Sequence, residues 1–362
     1  MTTTHEERRS DLELMQAQLD ADRRAAVPAL DVRGLSTTFR TRGGGLTAVN
    51  DVSFRLGKGR VLAVIGESGS GKSAMLRSIL GIQPASAQIT GEVYLDGTSL
   101  LDLPAKARAA TRGRDVSMVF QDPLTALDPV YTIEAQLVET LRRHLGLSRA
   151  QARRQAVELL DRVQIPSPAE RVKAYPFELS GGMRQRVVIA MALACNPKVL
   201  LADEPTTALD VTVQARILDL FREIQAESDM GVVIVTHDLA VAAEVADDVV
   251  VMYAGRVVEQ GPAEEVLLAP EHPYTRGLLE ANVRPGQRTR PRAIPGSPPS
   301  LARLPEGCAF APRCDAATEE CWDRRPELIP LDRVRASRCH LSARPTTDTT
   351  VAVPQEATHA VS

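Results

Sequence analysis

Four short stretches of nearly unbroken apolar character punctuate the chain: VLAVIG at 61–66, KVLLADE at 198–204, GVVIVTH at 231–237 and VVVMYAG at 249–255. A strand covered on both faces reads this way, and such strands usually pair in parallel. The pattern is different between Leu30 and Leu101, where LDVRGLSTTFR, AVNDVSFRL and GEVYLDG alternate apolar and polar residues and end in glycine or charged turns. That alternation predicts half-buried strands. Over 130–176 the spacing becomes helical. TIEAQLVETLRRHLG and SRAQARRQAVELLDRVQI set apolar residues three and four apart, the second opening on a Ser148 cap. The expectation is an α/β core interrupted by a helical block at about 125–185. Ahead of it, residues 1–28 carry only a weak helical signal, Ser10 with Glu13 as a capping box and Leu12, Met15 and Leu19 on one face. They predict a helical or disordered arm.

After about Ala281 the composition shifts. Eleven of the 24 prolines lie between Pro285 and Pro354, and twelve arginines stand against seven acids between Arg284 and Arg344. Such a stretch is expected to form a loop-rich appendix, since it cannot supply a large apolar core by itself. Residues 344–362 read as a disordered tail. No apolar run approaches the roughly 18 residues that a membrane helix needs, and the N-terminus lacks the apolar segment of a secretory signal. A cytosolic setting follows. The net charge of −3 argues against a nucleic-acid partner bound by bulk electrostatics.

The chemistry concentrates in three places. GESGSGKS at 66–73 fits the phosphate-loop pattern G-x-x-x-x-G-K-[ST], between an apolar strand and the helical AMLRSILG. Gly66, Ser68, Gly69, Ser70 and Gly71 let backbone N–H groups close round phosphate oxygens. Lys72 is expected to reach the β- and γ-phosphates, and Ser73 to ligate Mg²⁺. The strand at 198–204 ends in two carboxylates, and burying both is costly unless a cation or reacting group offsets them. Asp203 is expected to hold Mg²⁺, and Glu204 to orient or deprotonate the attacking water. The third place is ELSGGMRQR at 178–186, a second glycine-bearing loop opening a helix and suited to another anion. One nucleotide does not obviously need two such loops.

The phosphate loop, LSGGMRQR, LLADEPTTALD and VTHD, in that order, resemble the ATPase subunits of ABC transporters across about Leu30 to Gly261. The resemblance implies a P-loop NTPase fold of ABC type over 29–265: a mixed β-sheet with flanking helices, an inserted helical subdomain and an N-terminal antiparallel β-subdomain. It also implies that two subunits sandwich ATP. Ser180, Gly181, Gly182 and Gln185 would then act in trans on the nucleotide of the opposite subunit, which accounts for the second loop. Gln121, in VFQDPLTALDP, would touch Mg²⁺ and the attacking water. His237 would hold the γ-phosphate and Asp210 would sit at the dimer interface. Phe39, 27 residues before Gly66, stands where the family stacks an aromatic on adenine, though strand core explains it equally well.

GESGSGKS, FQDPLTALDPVYTI, HPYTRGLLEA and IPGSPPSLARLPEGCAFAPRC look like the oligopeptide/dipeptide importer branch, with its C-terminal region over 266–343. The likeness implies a second ATPase subunit, a paralogue forming a heterodimer, two transmembrane permeases and an extracytoplasmic peptide-binding protein. It places the chain peripherally on the cytoplasmic face of the membrane. Importers of nickel or other small solutes share much of this pattern. A soluble ABC ATPase of DNA repair or translation is the other class, but its long coiled-coil insertion or second cassette is not visible.

Four of the five cysteines, Cys308, Cys314, Cys321 and Cys339, crowd into the appendix as C-x₅-C-x₆-C-x₁₇-C. In a reducing compartment, thiolates suit zinc or an iron–sulfur cluster better than disulfides. Resemblance to peptide-importer subunits with this cysteine pattern implies a [4Fe–4S] cluster, with Zn²⁺ or unligated thiols as alternatives. A metal cross-link of this kind is expected to fold the appendix, and its loss to leave ATP binding at Lys72 largely intact. His340 is read as a surface histidine next to that set, and Cys195 as buried helix packing.

Overall fold

A computed structural model describes residues 27–41, 44–206, 211–281 and 292–342. The expected N-terminal arm and C-terminal tail therefore lie outside the described residues, apart from the two positions at the arm's end. The first strands in chain order are β1 (Leu30–Thr41), β2 (Gly44–Leu56), β3 (Val61–Ile65), β4 (Ala87–Leu95), β5 (Thr98–Ser99) and β6 (Val116–Val119). They are followed by β7 (Val199–Asp203), β8 (Gly231–Thr236), β9 (Asp248–Tyr253), β10 (Arg256–Pro262), β11 (Ile329–Pro330) and β12 (Ala336–Ser337). The alternating segments form an antiparallel sheet ordered β2-β1-β4-β5. The apolar runs enter an eight-stranded sheet ordered β11-β12-β10-β9-β3-β8-β7-β6. Its β9-β3-β8-β7-β6 stretch is parallel throughout.

Each position of β3, β7 and β8 is buried, because both faces of the large sheet are covered. Side chains alternate between those faces. Ala63, Ile65, Leu200, Ala202, Val232, Ile234, Val249 and Val251 join one apolar cluster with the helical block. Leu62, Val64, Val199, Leu201, Val233, Val235, Val250 and Met252 join the other, against the antiparallel sheet and the helix Lys72–Ile79. A continuous apolar run thus serves two cores at once.

The segments with helical spacing form helices at Ile133–Leu145 and Arg149–Arg162. The first is capped by Thr132, whose hydroxyl accepts the Ala135 N–H at 3.2 Å, and ends at Gly146 with φ 67°. The second opens on the Ser148 box: the Ser148 hydroxyl accepts the Gln151 N–H at 3.3 Å, and the Gln151 side chain accepts the Ser148 N–H at 3.0 Å.

The appendix does not stand apart from this core. Its strand β12 pairs antiparallel with β10 (Glu259 with Ser337, Gln260 with Ala336), and β11 extends the edge by one more strand. Phe310 is buried in the helical-block cluster, and Leu301, Leu304, Cys308 and Cys314 pack against it. Too poor in apolar residues for a core of its own, the segment borrows one.

Candidate functional site

The parallel register brings the C-terminal ends of β3, β6, β7 and β8 to one edge of the sheet, the usual place for a ligand in an α/β fold. β3 runs into the glycine-rich loop. A Cβ on Gly66 would lie 2.3 Å from the Met252 carbonyl oxygen, and one on Gly71, where φ is +103°, would lie 2.3 Å from that of Ala48. Only glycine fits at either position. Ser68 and Gly69 form the exposed tip of the loop, while Ser70 is buried. Lys72 is 5% exposed and folds back on its own loop. Its Nζ donates to the carbonyls of Gly66 at 2.7 Å and Glu67 at 2.9 Å. Burial lowers the pKa of this ammonium, and the carboxylates of Glu204, Asp203 and Glu67 oppose the shift. A phosphate entering the loop offers this three-donor ammonium charged acceptors, a stronger kind of hydrogen bond.

Ser73 Oγ donates to Asp203 Oδ1 at 2.9 Å. Asp203 is 1% exposed; burial pushes its carboxyl up, with the Ser73 hydroxyl pulling the other way. One residue on, Glu204 takes a left-handed backbone with φ +47° and its N–H donates to the Val235 carbonyl at 3.0 Å. Strained non-glycine backbone of this sort costs about 1–3 kcal/mol and gathers at functional sites. The Glu204 carboxylate accepts Gln121 Nε2 at 3.0 Å and stands 3.3 Å from His237 Nδ1, both through Oε2. Three residues from the ends of three strands therefore meet on one oxygen. Gln121 and His237 are exposed, so the group opens to solvent.

The second glycine loop starts the helix Gly181–Leu193, with the Ser180 hydroxyl accepting the Met183 N–H at 3.3 Å. Ser180 and Gly181 are exposed and Gly182 is half-buried. Among the described residues, none of the three shares a hydrogen bond or ion pair with the phosphate loop. Gln185 departs from the expectation. Its side chain sits in the packed interior at 2% exposure, with Nε2 unpartnered, because the helix is covered on nearly every side from this position on. Phe39 is half-buried on β1 opposite Leu46 and Ala87, a placement compatible with either of its readings. Asp210 lies outside the described residues.

In the appendix the Cys308 N–H donates to the Cys321 carbonyl at 2.7 Å. Burial pushes the thiols of Cys308, Cys314 and Cys339 up, and the proximity of other cysteines adds to the shift in each. The four are gathered in one neighbourhood. Even so, among the described residues no three His, Cys, Asp or Glu side chains converge to hold a metal ion, so the expected [4Fe–4S] or zinc ligation has no formed site here. His340 is not the surface residue expected. Its side chain is 8% exposed and its Nε2 lies 2.8 Å from the Arg324 carbonyl. Cys195 is buried just past the helix end, as expected.

Sequence reasoning missed Glu67, a variable position within the loop pattern, together with its partners Tyr274 and Arg313. HPYTRG and APRC carried the signal, as motifs without a role.

Residues 49–207 match the family described as ABC transporter, and residues 258–321 match the oligopeptide/dipeptide transporter C-terminal region. A Brucella melitensis protein named as a peptide import ATP-binding protein is 52% identical over 326 residues, covering 86% of this chain and 96% of its own. The oligopeptide transport ATP-binding protein OppD of Haemophilus influenzae is 46% identical over 317 residues, covering 87% and 98%. Among solved structures, a dimeric bacterial ABC transporter cassette superposes with a TM-score of 0.59 at 30% identity, over 65% of this chain and 98% of that one. The same cassette in a post-hydrolysis state bound to ADP and Pi matches with the same score and coverage.

Proposed function

The chain belongs to the ATP-binding subunits of the oligopeptide/dipeptide class of ABC transporters, and from that premise we propose that it hydrolyses ATP to drive uptake of di- and oligopeptides. The observation that carries this reading is the meeting of Gln121, Glu204 and His237 on one carboxylate oxygen, beside the Ser73–Asp203 pair and the Lys72 loop. Lys72 and the loop N–H groups bind the phosphates. The Ser73 hydroxyl, the Asp203 carboxylate and the Gln121 amide oxygen form an all-oxygen donor set that fits Mg²⁺. When bound, that ion neutralises charge on the β- and γ-phosphates. Glu204 accepts the proton of the attacking water, and His237 donates to the γ-phosphate and keeps the Glu204 carboxylate oriented.

Ser180, Gly181 and Gly182 complete the nucleotide site of a second subunit, for which a paralogue is the proposed partner. The exposure of Ser180 and Gly181, with the capped helix start behind them, supports this; Gln185 would have to leave the interior to join them. Phe39 stacks on adenine, and Asp210 lies at the subunit interface. The chain works at the cytoplasmic face of the membrane on two permease subunits fed by an extracytoplasmic peptide-binding protein. No helix among the described residues is long and apolar enough to span a bilayer. The test is ATP hydrolysis by the chain reconstituted with its permeases. Stimulation by peptide-loaded binding protein is expected, whereas stimulation by a nickel or other small-solute binding protein alone would overturn the peptide reading.

For the appendix we propose that Cys308, Cys314, Cys321 and Cys339 ligate one [4Fe–4S] cluster of structural role, Zn²⁺ being the competing occupant. The support is four neighbouring thiols in a segment short of apolar core; the side chains as placed must reorient to converge. Anaerobically purified protein is expected to absorb near 400 nm and carry about four irons per chain. Colourless, iron-free protein would overturn the cluster, and one equivalent of zinc would identify the competitor.

A further inference from the structure

Glu67, the second residue of the phosphate loop, has every polar group engaged. Its carbonyl accepts Lys72 Nζ at 2.9 Å. Its N–H donates to Tyr274 Oη at 2.8 Å. Its carboxylate takes a two-pronged contact from Arg313, Nη1 to Oε2 at 2.6 Å and Nη2 to Oε1 at 2.9 Å. The partners lie 207 and 246 residues along the chain.

Both partners are themselves fixed. Arg313 is 4% exposed in its side chain, and its Nε donates to the Pro295 carbonyl at 2.9 Å, inside the appendix. Tyr274 is fully buried and packs with Tyr253, ring centroids 4.5 Å apart, and with Phe310 at 5.4 Å. Its N–H donates to His272 Nδ1 at 3.0 Å, and the His272 N–H donates to Glu259 Oε2 at 3.0 Å. Glu259 lies on β10, opposite Ser337 of β12. A continuous set of contacts thus runs from the edge strand through the HPY segment to the loop that holds Lys72.

We propose that Arg313 and Tyr274 are positioning residues for the phosphate loop, so that the C-terminal appendix sets the affinity of the nucleotide site. The inference rests on the reading of that loop as an ATP site. Lys72 is aimed by the Glu67 and Gly66 carbonyls it donates to, and the direction of the Glu67 carbonyl is set by what holds its carboxylate and N–H. A planar, two-pronged guanidinium fixes that direction in a way a point charge does not. The physical expectation reverses the earlier one: loosening the appendix weakens ATP binding.

The test is a double-mutant cycle on the full-length chain, read as the ATP dissociation constant by titration calorimetry. Arg313→Gln and Glu67→Gln are each expected to weaken ATP binding by about tenfold, the size of one lost charge-assisted contact. The double variant, in which two neutral amides face each other, is expected to recover to within about threefold of wild type. Arg335→Ala removes an appendix arginine that pairs with Asp332 and Glu265, away from the loop, and is expected to bind ATP as wild type does. Where Arg313→Gln fails to fold, Arg313→Lys, which keeps the charge and loses the fork, carries the same comparison. Folded single variants that bind ATP like wild type, single effects that simply add in the double, or an equal loss in Arg335→Ala would each overturn the inference. A wild-type chain that binds no ATP would instead overturn the functional reading beneath it.

Discussion

The nucleotide edge of the large sheet and the C-terminal appendix solve the same problem, holding polar groups in place, by opposite means. At the sheet edge, Asp203, Glu204 and His237 sit at or just beyond the ends of β7 and β8, whose every position is buried, and Gln121 follows β6, buried at all positions but Met118. Apolar packing on both faces places them. In the appendix the strands are two residues long, and position comes from individual side-chain contacts. Arg313 holds Glu67, Arg338 Nε donates to the Val257 carbonyl at 2.8 Å, and Arg335 bridges Asp332 and Glu265. A region without its own core can still be specific where each arginine finds a carboxylate or carbonyl. Losing one such contact then frees the groups it holds and leaves the others in place.

Breaking the seam between the two regions should give the largest effect. Phe310 is 4% exposed and touches Tyr253, Tyr274 and His272. Phe310→Ala is expected to cost about 3–5 kcal/mol, a large aromatic lost from a packed site. In a denaturation experiment the appendix should open before the core sheet. A loss under 1 kcal/mol would mean that the aromatic cluster does not join the regions.

Chemistry at the sheet edge should respond without loss of fold. Glu204→Gln keeps the shape and removes the base, so steady-state ATP turnover in the assembled transporter is expected to fall at least about 10²-fold, near 2.7 kcal/mol in barrier. ATP binding should persist, because Lys72 and the loop are untouched. Turnover near wild type would remove Glu204 from the role.

A smaller effect separates the regions by pH. His272 is buried among apolar groups and the backbone of Arg338, and burial lowers its pKa to about 3 from an ordinary 6.5. The folded state therefore holds it neutral while the unfolded chain takes up a proton below about pH 6.5. Its stabilising contribution is complete above that value and is lost progressively as pH falls toward 3. Between pH 7.5 and 5.5 the loss is about 1 kcal/mol by linkage. Buried Glu259 next to it has its carboxyl raised by burial and works with the opposite sign. Comparing wild type with His272→Asn at the two pH values isolates the histidine: the pH-dependent difference should shrink in the variant. An unchanged difference would show that other groups govern acid sensitivity.

Much of the nucleotide site was legible along the chain because its parts are local. A buried strand, a glycine loop with Lys72 and Ser73, and a strand ending in Asp203 and Glu204 are each encoded within about ten residues. Their order then identified the family. The helices followed from apolar spacing, and the Ser148 cap from a three-residue offset. Other features had no local signature. Gln185 is buried because of how its helix packs, which the neighbouring glycines do not reveal. The four cysteines advertise a ligand set, yet nothing in their spacing says whether the thiols converge. Burial of His340 depends on the fold of a segment that pattern alone reads as loop.

By itself, then, the sequence determined the apolar and alternating strands, the two helices of the helical block, the phosphate loop and the acidic strand end, because hydrophobic periodicity and turn chemistry act between near neighbours. Tertiary structure alone decided that β11 and β12 extend the core sheet, that Tyr274 and Arg313 close on Glu67, and that the appendix borrows the core it lacks. The physical reason is separation. A carboxylate and a guanidinium 246 residues apart leave no periodic trace of their pairing. Only the closed sheet brings them within 3 Å, at a place where exclusion of water makes the contact strong.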